Sequence, residues 1–272
     1  MKKILSFVLA LVMIAALAAC GSGGANKPAD SAAPAKLVFG TSADYAPFEF
    51  MYPDDSGKLV YGGIDVSVAQ YIADFTKKEL QVENMGFDYL LASLQKGDFD
   101  MVIAAMEATD ERKNSADFST PYYTDYPPMI LIRTADSAVY TSLDSFSGKS
   151  VGAQTATTRE AVVKDDMPGA NLVSLQNVND LVNQLVNSKI DAVVLDGAVA
   201  QQFANSSEEL AIADISLGES AVYCVAVAKG DPKGLLPGIN DAIADMLAKG
   251  KIDEFVQAAD SLKDVRQEVS AG

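Results

Sequence analysis

Apolar positions recur along this chain in two rhythms. Ile64, Val68, Ile72 and Phe75 stand three and four residues apart, with Asp74 and Lys77 among the polar positions between and after them, which predicts an amphipathic helix. Residues 90–95 predict a short helix, with Gly97 just past its end as a stop signal, and 178–186 and 235–247 predict two more. Short apolar runs at 37–40, 101–105, 129–132, 150–153 and 191–195 predict strands. This alternation argues for an α/β fold with mainly parallel sheets. A second α/β series starts at residue 149. In it, Thr157-Thr158-Arg159-Glu160 has the form of a capping box, Thr157 capping a helix and Glu160 answering it. A helix N-terminus also offers free N–H groups to an anion.

The first twenty residues follow neither rhythm. Lys2 and Lys3 precede an apolar run from Ile4 to Leu17, broken only by Ser6, and Leu17-Ala18-Ala19-Cys20 closes it. A run this short reads as a secretion signal over 1–19 rather than a membrane span, which needs about 20 apolar residues. Residues 20–35, small, polar and proline-containing, read as a flexible tether. The remaining stretch suffices for one large domain or two small lobes.

Composition narrows the chemistry. The chain carries 21 basic and 37 acidic residues, and the leader holds two of the lysines and no acid, so without it the net charge moves from −16 to −18. Such a balance argues against nucleic acid, which wants clustered Lys and Arg, and mainly favours solubility. There is no histidine, which removes histidine-based general bases, Ser-His-Asp and Cys-His nucleophiles and most zinc sites. Beyond Cys20 only Cys224 remains, so no intramolecular disulfide forms in the body; Cys224 lies in an apolar run and reads as a buried small hydrophobe. The acid pairs Asp54-Asp55 and Asp165-Asp166 read as solvated turns rather than metal ligands, and no cofactor is implied.

The most informative stretch is 99–123. A short apolar strand runs into a polar turn with Glu107 and Thr109, Arg112 follows on the first turn of a helix, and an aromatic loop with Pro121 comes next. An acid and an arginine presented at a strand end can hold an ammonium and a carboxylate together, the pair of groups that a free α-amino acid offers.

Seven segments, GTSADYAPFEF (40–50), GGIDVSVAQYIA (62–73), FDYLLASLQKGDFDMVIAAMEATDERK (87–113), DFSTPYY (117–123), GKSVGAQTATTRE (148–160), KIDAVVLD (189–196) and VAVAKGDP (225–232), occur in an order that resembles the family 3 bacterial solute-binding proteins of polar amino-acid ABC transporters. The resemblance covers residues 37 to about 265, and the small residues before Cys20 look like a bacterial lipobox. It implies a two-lobe, type II periplasmic-binding-protein fold with a hinge of two crossing strands. Lobe one would be 36–126 plus 222–267 and lobe two 127–221, with a tail at 268–272. It also implies a monomer, lipid-anchored outside the cytoplasm through Cys20, that passes a free amino acid to an ABC permease.

Carried over residue by residue, the resemblance implies that Arg112 clamps the ligand α-carboxylate, since its planar fork makes two charge-assisted hydrogen bonds at once. Thr157 and Thr158 would assist from the other lobe. Asp196 and the Ala105 carbonyl would take the α-ammonium, and Tyr45 and Phe87 would pack on the ligand side chain. Three positions depart from the family pattern. Glu107 stands where Ser or Thr is usual, which would put two carboxylates near one cation and favour lysine, arginine or ornithine. The alternative is that Glu107 turns aside to a lysine or to water. Ala156 replaces a common glycine, and Ser67 replaces a usual acid. Ser42 lies where basic-amino-acid binders often carry an acid, and Asp44 stands two residues on. Neutral ligands such as glutamine or cystine therefore stay open. So do a dehydratase on the same fold, with Glu107 as general acid, and a sensory or adhesive lipoprotein.

Overall fold

The computed structural model describes residues 35–265; the leader, Cys20, nearly all of the tether and the C-terminal tail lie outside the described residues. Two five-stranded sheets organise the body. In the first, Glu79–Asn84, Lys36–Thr41, Met101–Val102, Ala226–Ala228 and Ala116–Phe118 lie side by side. In the second, the order is Asn171–Leu175, Ser150–Gln154, Ala192–Leu195, Met129–Arg133 and Leu210–Ile212.

Three strands of each sheet pair in parallel, but half of the pairings in the two sheets are antiparallel, so the sheets are mixed rather than the mainly parallel ones that the alternation predicts. Ala226–Ala228 and Met129–Arg133, however, run antiparallel to both neighbours. Each of these strands enters its sheet directly from a short ladder that pairs Tyr123–Thr124 with Val222–Tyr223. Neither arrives by way of the crossover helix that a parallel neighbour requires. That ladder is where the chain passes between the two lobes, and Tyr123 stacks on Tyr223 within it while Phe48 meets both rings edge-on.

The helices form where the apolar rhythm places them. Ile64–Phe75 buries Ile64, Val68, Ala69 and Ile72. Val178–Val186 buries Val178, Leu181, Val182 and Leu185, and Asn177 caps it by accepting from the Asn179 and Asp180 amides. Phe87–Lys96 ends at Gly97 in the left-handed conformation, φ 86°. The segments Asp44–Tyr45, Glu49–Pro53 and Leu59–Gly62 add a small antiparallel sheet that no run of alternating residues announces. This sheet packs onto the start of Ile64–Phe75 through Gly63, where φ is 120° and any Cβ would meet the Phe48 carbonyl oxygen at 2.1 Å.

One buried carboxylate fixes the geometry near the interlobe cleft. Asp65, fully buried, accepts from the Ala105 amide at 2.7 Å and from the Tyr122 hydroxyl at 2.7 Å. Burial pushes Asp65 up to about 6, although these two donors and Glu49 work in the opposite direction. Glu49 is held well above the usual range, first by its own burial and then by Asp65, so it keeps its proton beside that carboxylate. Asp125 and Asp44 are also pushed up to about 6, in both cases chiefly by burial.

The sign of the pH dependence follows. Acids with folded values near 6 hold protons that the unfolded chain has lost above about 4, so stability falls as pH rises through that window. The half-buried Asp54, Asp117 and Asp245 are shifted downward, chiefly by hydrogen bonds, and act only at lower pH. The thermal midpoint should therefore rise by several degrees between pH 7 and pH 5, since ~1 kcal/mol moves a chain of this size by about 2–4 °C. A midpoint at pH 5 equal to or below that at pH 7 would contradict the assignment.

Candidate functional site

From the first lobe, the chain leaves Met101–Val102 and turns at Ala105, a non-glycine residue at φ 42°. Such a conformation is uncommon and persists only where the surroundings enforce it, here through the Asp65 contact. The Glu107 backbone then pairs with Tyr223 of the interlobe ladder. Thr109 caps the short helix Asp110–Lys113, accepting from the Arg112 amide, and so sets the direction of Arg112. The Arg112 guanidinium lies 5.1 Å from the centre of the Phe87 ring and donates to the carbonyls of Glu107 (3.1 Å) and Ala156 (3.2 Å). Burial lowers its pKa; Glu107 and Asp196 oppose that shift.

From the second lobe come the start of helix Thr158–Asp166 and the N-cap of helix Gly197–Ser206, which is Asp196. Ala156 also adopts a left-handed backbone, φ 62°, which explains why glycine suits this position; the bend carries its carbonyl to Arg112. The expected capping box does not form. The Thr157 hydroxyl donates back to the Gln154 carbonyl at 2.6 Å instead of accepting from the helix, and Glu160 accepts from the Ala156 amide at 3.0 Å. The helix therefore begins without a side-chain cap.

All nine residues expected at the site, Ser42, Tyr45, Phe87, Ala105, Glu107, Arg112, Thr157, Thr158 and Asp196, line one narrow cleft between the lobes, together with Glu49, Ala104 and Gln154. Several point differently from expectation. The Tyr45 hydroxyl crosses the cleft to donate to Asp196 at 2.7 Å. Ser42 donates to Asp44 at 3.1 Å. Asp44 itself accepts from the Val178 amide of the second lobe at 2.8 Å and so does not reach into the cleft. Thr158 donates to the Glu107 carboxylate. Gln176 meets Asp88 at 2.9 Å, a further contact between the lobes.

The residue missed in the sequence is Arg159. Only 4% exposed, its guanidinium lies 3.0 Å from Glu107 across the cleft and 3.1 Å from Asp196 in its own lobe. Burial disfavours this charge, but Asp196 and Glu107 outweigh burial and the net shift is upward. Glu107 thus turns aside, to Arg159 and Thr158 rather than to the lysine or water expected. The second contact is a charge contact only: Asp196 Oδ1 and Arg159 Nε, both buried, lack any hydrogen-bond partner among the described residues. Burial raises the pKa of Asp196, against the pull of Arg159. A signal existed in the sequence, since a positive charge inside the Thr157–Glu160 turn has no role in a capping box.

Comparison with known proteins identifies the family and the fold. Residues 37–258 match the family model of the bacterial extracellular solute-binding proteins, family 3. The arginine-binding extracellular protein ArtP of Bacillus subtilis is 30% identical over 257 residues, spanning 94% of this chain and 96% of that protein. The amino-acid ABC transporter substrate-binding protein AbpA of Streptococcus pneumoniae, solved bound to L-arginine, superposes with a TM-score of 0.79 at 34% identity, over 84% of this chain and 95% of that one. An ancestral arginine-binding protein solved bound to glutamine gives 0.72 at 33%, over 82% and 96%. With the family match spanning most of its length, two α/β lobes and a cleft between them, the chain belongs to the family 3 bacterial extracellular solute-binding proteins, which bind solutes rather than transform them.

Proposed function

We propose that the cleft captures a free polar amino acid, cationic ones foremost (arginine, lysine or ornithine), and that the chain delivers it to an ABC permease. Arg112 takes the α-carboxylate, assisted by the uncapped helix start at Thr157 and Thr158. Asp196 and the Ala105 carbonyl take the α-ammonium, and Tyr45, Phe87 and Ser42 complete the walls. The observation that carries this reading is Asp196 Oδ1: a buried carboxylate oxygen without a hydrogen-bond donor, lining the same cleft as Arg112. An ammonium supplies the donor that this oxygen lacks, and leaving it unmet costs free energy. A cationic side chain is favoured by the arginine-binding relatives. A neutral ligand such as glutamine or cystine is the second reading. It is favoured by Arg159, which already pairs with both acids in the cleft and cancels one of their charges.

The lobes divide at 126/127 and 221/222 on this reading and close about the 123–124/222–223 ladder. The chain acts as a monomer outside the cytoplasm, held to the membrane by lipid on Cys20 after removal of residues 1–19. Two acyl chains anchor stably where one is marginal. Replacing Cys20 by Ser should release the protein from the membrane fraction into the soluble one. Retention of the variant in membranes would remove the anchor from the account.

Ligand identity is tested by thermal unfolding of stripped protein with the twenty amino acids, ornithine, citrulline and cystine. A ligand at 100 times its Kd adds about 2.7 kcal/mol of stability. A shift with arginine, lysine or ornithine supports the cationic reading, and a shift confined to neutral amino acids selects the second. For whichever ligand binds, Arg112→Ala should weaken affinity by about 3 kcal/mol, roughly a hundredfold, because a carboxylate is left unpaired in the cleft. Affinity within twofold of wild type would show that Arg112 does not hold the carboxylate.

A further inference from the structure

We infer that Arg159 is the residue that sets the charge selectivity of the cleft, a cation built into the protein that cancels one of the two carboxylates a ligand would otherwise meet. The inference rests on the amino-acid reading above and deepens it.

The geometry is specific. Arg159 bridges carboxylates from opposite lobes, Glu107 at 3.0 Å and Asp196 at 3.1 Å, on the side of the cleft where the ligand ammonium is expected. Its partners are not equivalent. Toward Glu107 it donates an aligned hydrogen bond from Nη2. Toward Asp196 the contact is misaligned, leaving Asp196 Oδ1 without a donor. Arg159 thus satisfies Glu107 and leaves Asp196 able to accept from a ligand.

The charges that face the cleft can be followed one by one. Arg112 and Arg159 are positive, and Glu107 and Asp196 are negative, so these four cancel. Glu49 also lines the cleft but keeps its proton, and Asp44 is turned toward the Val178 amide behind the wall. Replacing Arg159 with a neutral residue makes the cleft one unit more negative, and replacing Glu107 makes it one unit more positive. A charge buried in a cleft is weakly screened, so one unit within several ångströms changes the affinity of a charged ligand by about tenfold or more. A purely structural salt bridge predicts something else. Either substitution would then loosen the site for all ligands alike, without reordering them.

L-arginine and L-citrulline form a suitable pair of probes, since they share the amino-acid head and differ in whether the distal group carries charge. The measurement is the ratio of their affinities by titration calorimetry at pH 7 and low salt, on purified wild type, Arg159→Gln, Glu107→Gln and the double variant. The preference for arginine over citrulline should rise about tenfold in Arg159→Gln and fall about tenfold in Glu107→Gln. In the double variant, whose cleft charge equals that of wild type, it should return to within about threefold of the wild-type value. Should Arg159→Gln fail to fold, the double variant and Arg159→Lys, which keeps the charge, carry the comparison: both should stay near the wild-type ratio while Glu107→Gln alone departs. Both single variants moving the ratio in the same direction, or neither moving it while binding persists, would overturn the role of Arg159 alone. Wild type binding neither probe would overturn the cationic amino-acid reading and the role of Arg159 with it.

Discussion

A guanidinium almost fully removed from water, held between two carboxylates, is the interaction on which the arrangement of this cleft depends. Taking a charge out of water costs several kcal/mol per ion, and that cost is offset only where partners stand close and aligned. Arg159 meets it with an aligned hydrogen bond to Glu107 from the first lobe and a close charge contact to Asp196 from the second. One of its two ion pairs therefore spans the cleft, and separating the lobes would expose or strand all three charges. The Tyr45 hydroxyl on Asp196 and the Val178 amide on Asp44 cross the same cleft and reinforce this closure.

Behind that triad, the site is positioned by buried polar groups rather than by apolar packing. Asp65 holds the Ala105 turn and Tyr122 together, and Asp125 joins the start of helix Gly197–Ser206 to the Tyr223 hydroxyl of the interlobe ladder. Both aspartates have raised pKa values because the interior resists their charge. Hydrogen-bonded carboxylates at the two ends of the hinge region fix the backbone directions that carry Glu107 and Asp196 to the cleft, while the aromatic contacts of Phe48, Tyr123 and Tyr223 fill the space around the ladder.

Much of this was legible in the sequence where the determinants are local. The rhythm at 64–75 and 178–186 and the stop at Gly97 appear as read, because burial of one helix face and a left-handed cap depend on neighbours in sequence. The nine residues gathered at the cleft were found through the order of seven segments, not through any local rule. What escaped were features set by distant partners. The capping box does not form because the Thr157 hydroxyl turns back to donate to the Gln154 carbonyl. The Glu107 partner of Arg159 lies 52 residues away, in the loop after Met101–Val102 of the other lobe, and no periodicity carries that information. The antiparallel entry of Met129–Arg133 and Ala226–Ala228 likewise follows from the chain crossing between lobes, which a pattern of strands and helices does not encode.

The account is tested most directly by a crystal structure of the protein with its tightest-binding amino acid in the cleft. It predicts the ligand α-carboxylate on the Arg112 guanidinium and the α-ammonium donating to Asp196 Oδ1, with Arg159 still bridging Glu107 and Asp196. A ligand seated the other way, with its carboxylate on Arg159 and its ammonium away from Asp196, would contradict it.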